Sequence, residues 1–212
     1  MISKMILSSE KYGCSEEIMT VAAMVSLDNT VFYCPKEKRV LSGQAHRAFM
    51  DEDGNQLTLL KIYNEYAASD FSSDWCKENY IQSRTMKVAR NIRDQLVNLA
   101  DRLEIKMTSK VDDKVAIRKA ITAGFFLNTA RFAGDSYRRI KKKDSVYMQP
   151  SSVFSVLEDS PRYVVYNNIV ATKKEYMRCV LRIDPHWLTE VAPHIYKDSD
   201  FDGDRRYKKM PI

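Results

Sequence analysis

Glycine and proline are scarce in this chain, six of each in 212 residues. That excludes collagen-like and linker-like sequences and favours long helices. No uninterrupted apolar run reaches membrane-spanning length, because charged residues break every stretch. The opening residues, Met1-Ile2-Ser3-Lys4-Met5-Ile6-Leu7, have neither the long apolar stretch nor the small-residue cleavage site of a signal peptide. The expectation is an intracellular protein. The four cysteines, Cys14, Cys34, Cys76 and Cys179, form no C-x-x-C pair, and His46, His186 and His194 stand at no zinc-finger spacing from them. Reduced, mostly buried thiols are expected.

Catalytic motifs are also missing. No Gly-Lys pair occurs, so there is no phosphate-cradling loop. G-x-G-x-x-G, G-x-S-x-G and H-E-x-x-H are absent too. The carboxylates Asp51/Asp53 and Asp200/Asp202/Asp204 sit in polar stretches with nothing to tune an acid and a base apart. Residues 51–55 read as a solvated turn. A calcium loop starting at Asp51 would need Glu at its twelfth position, which is Ile62.

What the chain does have is positive charge gathered in one place. The formal net charge is +6. Residues 1–112 carry 15 Lys/Arg against 16 Asp/Glu, whereas residues 113–154 carry 9 against 3. The remaining stretches nearly balance. A basic segment within an otherwise neutral chain suggests a local polyanion contact.

The first half reads as helices. Ser15-Glu16-Glu17 pairs an N-cap with acidic residues that suit the start of a helix. Leu57, Leu60, Tyr63 and Tyr66 share one face of a later helix. Over 85–104, Val88, Ile92, Leu96, Leu99 and Leu103 form a stripe expected to face the core. On the same helix Arg90 and Asp94 can pair at i, i+4. Residues 105–112 read as a loop with a domain boundary, and Asp112-Asp113 as the start of a helix reaching about Ala130. Beyond Gly134 come β-prone runs at 136–143, 145–149, 162–171 and 175–183. Residues 185–192 suit a closing helical turn, and residues 197–212 an expected mobile tail.

Read as a strand, 136–143 places Arg139, Lys141 and Lys143 on one face, with Phe132, Tyr137 and Tyr147 near by. Cations along a backbone with aromatics for base stacking describe an OB-type single-strand surface. A solvated charged hairpin would show the same pattern. Thr172-Lys173-Lys174 is a second, weaker basic turn read the same way.

Several motifs resemble the helicase-associated region of DEAH-box RNA helicases. They include Ser9-Glu10-Lys11-Tyr12-Gly13-Cys14-Ser15-Glu16-Glu17-Ile18, Val31-Phe32-Tyr33-Cys34-Pro35-Lys36, Trp75-Cys76-Lys77-Glu78-Asn79-Tyr80 and Arg118-Lys119-Ala120-Ile121-Thr122-Ala123-Gly124-Phe125-Phe126. Val146-Tyr147-Met148-Gln149-Pro150-Ser151-Ser152, Thr172-Lys173-Lys174-Glu175-Tyr176-Met177-Arg178 and Trp187-Leu188-Thr189-Glu190-Val191-Ala192-Pro193-His194 resemble that family's OB-fold. The likeness is strongest to the pre-mRNA splicing members.

The resemblance implies an α+β fold: a helical ratchet-like domain over 1–112, then an OB-fold five-stranded barrel with a leading helix over 113–196. It implies a C-terminal region of an ATP-dependent RNA helicase acting in the spliceosome, in the nucleus. ATP and magnesium would be held in RecA-like ATPase domains, so no cofactor is expected here. Implied partners are single-stranded pre-mRNA, the RecA-like and winged-helix domains, and G-patch activator or other spliceosomal proteins, with no membrane. The expected RNA-binding residues are Tyr137, Arg139, Lys141, Lys143, Gln149, Ser151, Thr172 and Lys173. The alternative is a platform that docks an activator without touching RNA. Either way, a module built to work beside other domains should expose an apolar or mixed face on its helical half. Two departures stand out. Gln149 replaces the family's usual His before Pro-Ser-Ser, which removes a possible charge and an imidazole ring. Asn55-Gln56 replaces the family's Asp-His at a helix entry, a change expected to be structural.

Overall fold

The computed structural model describes residues 1–27 and 30–201. Helices dominate its first part: α1 (Ile2–Tyr12), α2 (Ser15–Val25), α3 (Arg39–Phe49), α4 (Asn55–Ala68), α5 (Ser73–Glu78), α6 (Ser83–Arg102) and α7 (Lys114–Phe125). Then come β1 (Thr129–Phe132), β2 (Tyr137–Arg139), β3 (Ser145–Met148), α8 (Val153–Val156), β4 (Tyr163–Ala171), β5 (Glu175–Arg182) and α9 (His186–Val191). The strands close into a barrel in the order β1-β2-β3-β5-β4. All neighbours are antiparallel except β3 and β5, which run parallel. A helical region followed by a five-stranded barrel is the expected α+β architecture.

Helix α2 is the hub, with Ile18, Val21 and Ala22 fully buried. Its start is held by side chains rather than capped by Ser15. The Ser15 hydroxyl donates to the Lys106 carbonyl (2.7 Å), and the buried Glu17 carboxylate accepts from Ser109 Oγ (2.6 Å). Helix α1 crosses α7 at Gly124, where a Cβ would lie 2.5 Å from Met5 Cβ. Helix α7 starts as expected, with Asp113 Oδ1 accepting from the Ala116 N–H (2.9 Å). It ends at Phe125, however, and residues 129–132 are a strand rather than more helix.

On α4 the expected face is buried: Leu57, Leu60, Tyr63 and Tyr66 all lie in core clusters. The stripe on α6 is a correction. Val88, Leu99 and Leu103 are exposed, and the buried residues are Thr85, Met86, Ala89 and Ala100. Of the expected stripe, Ile92 and Leu96 are half-buried, Leu96 packing against the core, while the small Ala89 and Ala100 let α6 lie close against α2. Arg93 Nε donates to Thr20 Oγ1 (2.8 Å) across that contact. Arg90 places its guanidinium over the Phe71 ring, 3.8 Å from the centroid. Val40 and Leu41 on α3 are exposed as well.

One hydrophobic cluster runs from Met5, Ile18, Leu57 and Ile121 to Val165, Leu181 and Leu188. Helices and barrel therefore share a core. Residues 51–55, expected as a solvated turn, form the second join together with Gln56. Gly54, at φ 130, bridges to Leu181, and the Asp53 carbonyl accepts from the Arg182 N–H (2.9 Å). Asn55 Oδ1 accepts from Ser152 Oγ (2.9 Å) and from the Val180 N–H (3.1 Å), as an Asp carboxylate could. Cys179, at φ 54, interrupts the β4–β5 ladder, and Gln56 Nε2 donates to its carbonyl there (2.6 Å). Among the four cysteines, all free, only Cys14 and Cys76 are buried.

The join is ionic as well. Arg118 on α7 pairs with Asp53 at 2.8 Å, both side chains nearly covered, and donates to the Arg182 carbonyl. Replacing Asp53 by Asn leaves that guanidinium without its counter-ion, which costs about 3 kcal/mol. Chemical denaturation should show it as a lower midpoint with an unchanged slope.

Helices α1, α7 and α9 meet at Glu190, which accepts from Lys119 Nζ (2.6 Å) and Tyr12 Oη (3.2 Å). The Lys119 hydrogen bond outweighs desolvation and holds the Glu190 carboxyl below its ordinary range. A carboxyl depressed on folding stabilises above its unfolded pKa and loses that stability as pH falls through the folded value. Lys119→Gln should therefore flatten the decline in melting temperature below the ordinary carboxylate range. An unchanged acid limb would contradict this assignment.

Candidate nucleic-acid interface

Strand β2 ends at Arg139, so the alternation expected through Lys143 stops there. Residues 140–144 form a turn in which Lys143 takes φ 62. Because β3 and β5 are parallel, both begin at the same end of the barrel. The β2–β3 turn and the β4–β5 turn, residues 172–174, are thereby brought together. Arg139 marks the meeting point. Its guanidinium pairs with Asp144, just before β3, and with Glu175 at the start of β5 (3.1 Å).

Lys141, Lys143, Thr172 and Lys173 stand exposed at this end, joined by Lys142 and Lys174. Lys141 is partly engaged. Its Nζ lies 3.2 Å from Asp200 Oδ2 and 4.7 Å from the Tyr196 ring centroid. The Lys197 backbone N–H, more than the lysine, holds the Asp200 carboxyl below its ordinary value. Phe201 packs against Tyr163 and Tyr196, so the first residues of the expected mobile tail are folded down on the barrel. Residues 202–212 of that expectation lie outside the described residues.

The other expected contacts are placed differently. Tyr137 is 3% exposed and donates its hydroxyl to the Pro161 carbonyl (2.9 Å), so it offers no open ring face to a base. Burial raises its phenol pKa. The two acidic partners of Arg139 largely satisfy its fork. Gln149 and Ser151 follow the far end of β3. There the Gln149 carbonyl accepts from the Ser152 N–H (2.8 Å) and from Ser155 Oγ (2.9 Å), closing the turn into α8. They lie beside the Asn55 join and not among the lysines.

Two further residues, Tyr147 and Tyr176, belong with the basic end. Lys174 Nζ lies 4.1 Å from the Tyr147 ring centroid, and Tyr147 lies 6.2 Å from Tyr176. The Lys173-Lys174 and Tyr-bearing β runs were visible in the sequence, but the parallel pairing that unites them was not. A separate cleft between α7, α9 and the start of β4 is lined by Arg118, Arg182, Asp184, His186 and Trp187. Among the described residues it contains arginines and no lysine.

Comparison with known families places both parts of the chain. The family described as helicase associated domain (HA2), ratchet-like, matches residues 1–74. The family described as oligonucleotide/oligosaccharide-binding (OB)-fold matches residues 117–196.

Proposed function

The chain belongs to the C-terminal part of DEAH-box helicases, and from that premise we propose that its barrel is an accessory surface holding single-stranded RNA for the motor. The observation that carries this reading is the convergence of two lysine-bearing turns at one barrel end, with Arg139 spanning them. Ammonium groups on neighbouring turns suit the spaced phosphates of an extended strand, and OB barrels bind single strands on such surfaces. In this reading the chain's residues bind and orient the strand. ATP and magnesium belong, on the resemblance to the helicase family, to RecA-like domains. The finer assignment is to pre-mRNA splicing in the nucleus, with a winged-helix domain and a G-patch activator as partners. It is supported by the motif resemblance to splicing helicases.

Fluorescence anisotropy with a labelled single-stranded RNA tests the contact. Binding should weaken steeply with salt, log Kd changing by about 0.7 per phosphate engaged for each decade. An absence of binding at low salt overturns the reading.

A further inference from the structure

We propose that Tyr147 and Tyr176 form a stacking step for one unpaired nucleobase, with Lys174 as its phosphate partner. This rests on the RNA-contacting reading above and specifies what part of the strand is held. Tyr147 and Tyr176 are register partners on parallel strands. Their neighbours Val146 and Met177 are fully buried inside the barrel, so alternation turns both phenol rings outward. The rings are half-buried, 6.2 Å apart and inclined at 52°. Each is rooted in a hydrogen-bonded strand, so the step exists before any ligand arrives.

The ring contact already present indicates what the ligand must be. Lys174 Nζ lies 4.1 Å from the Tyr147 centroid. An exposed ammonium on a phenol is a weak contact, whereas a stacked base is a stronger one. A base that takes the ring face releases the ammonium, which has three donors and a flexible stem, to meet the phosphate of the same strand. Arg178 follows on β5, and the nearby Glu175 is already tied to Arg139. The patch thus favours a flat ring attached to an anionic linker. A duplex keeps its base faces stacked internally, so the step selects single strands.

The test uses the full chain and two oligonucleotides of equal length, one of ordinary RNA and one with abasic sugars on the same phosphate backbone. The wild-type chain should bind the base-bearing strand about 5- to 20-fold more tightly. Tyr147→Ala should erase that preference and leave the salt dependence of binding intact, while Tyr147→Phe keeps the preference. Equal affinity of the wild-type chain for both strands overturns the stacking step and leaves the charge-based reading standing. So does a preference that survives in Tyr147→Ala. If neither strand binds at low salt, the underlying RNA reading fails and the step with it.

Discussion

Reversing three charges at the barrel end, as Lys142→Glu, Lys143→Glu and Lys173→Glu together, lowers affinity for single-stranded RNA by on the order of a hundredfold at low salt. It also flattens the salt dependence. The three side chains are exposed, and the substitutions leave the buried join between helices and barrel untouched. Stability should therefore stay within about 1 kcal/mol of the parent, since surface replacements away from caps and networks change little. Lys141 is left out because its contact with Asp200 would turn repulsive and confuse folding with binding. Anisotropy titrations at several salt concentrations, beside a melting curve, separate the two effects. If RNA affinity holds while binding of an activator protein is lost, the barrel end is a protein-docking platform.

The second large effect is on folding. Gly54→Ala should destabilise the chain by about 3–5 kcal/mol, comparable with a large part of the stability of an ordinary domain. Gly54 has φ 130, a region that L residues rarely adopt. A Cβ there would lie 2.3 Å from the Val180 carbonyl oxygen and 2.9 Å from Leu181 Cα. Both are backbone atoms of a paired strand, so relief would require the turn to lift from β5. Gly43→Ala is the control. It lies within α3 with nothing inside 4 Å of its Cβ position, and removing a helical glycine should stabilise by up to about 1 kcal/mol. Urea denaturation distinguishes the two variants, and equal midpoints would contradict the role given to the turn that leads into α4.

Much of the architecture could be read from residue patterns, and the failures share a cause. The face of α4, the Asp113 cap and the two long strands were legible because local periodicity and capping chemistry determine them. Along α6 only Ile92 and Leu96 of the bulky stripe turn partly inward, and Val88, Leu99 and Leu103 stay exposed, because bulk alone does not mark the core. The α2–α6 contact instead uses Ala89 and Ala100, whose small size allows a close approach. Strand β1 follows α7 after a short turn and has only four residues, too few for a strand period to stand out from the helical spacing before it. Residues 51–55 look polar because their partners are distant in sequence, Lys114 for Asp51, Arg118 and the Arg182 N–H for Asp53, and Ser152 and the Val180 N–H for Asn55.

The site divides along the same line. Lys141, Lys143, Thr172 and Lys173 could be listed from charge alone, but only the β3–β5 parallel pairing makes them one surface. Tyr137 was misleading because an aromatic beside a basic run reads as accessible. Here the strand turns it inward, and only its hydroxyl reaches a polar partner. The substitution of Asp-His by Asn55-Gln56 is structural in this fold. Asn55 supplies two acceptor contacts and Gln56 fills the break in the ladder at Cys179.

Photo-crosslinking locates the RNA most directly. A single-stranded RNA carrying 4-thiouridine, bound to the full chain at low salt and irradiated, should yield crosslinked peptides from residues 139–149 and 171–178. Crosslinks confined to the cleft beside Trp187 or to the outer face of α6, with none at the end of the barrel where the two lysine turns meet, would contradict the account.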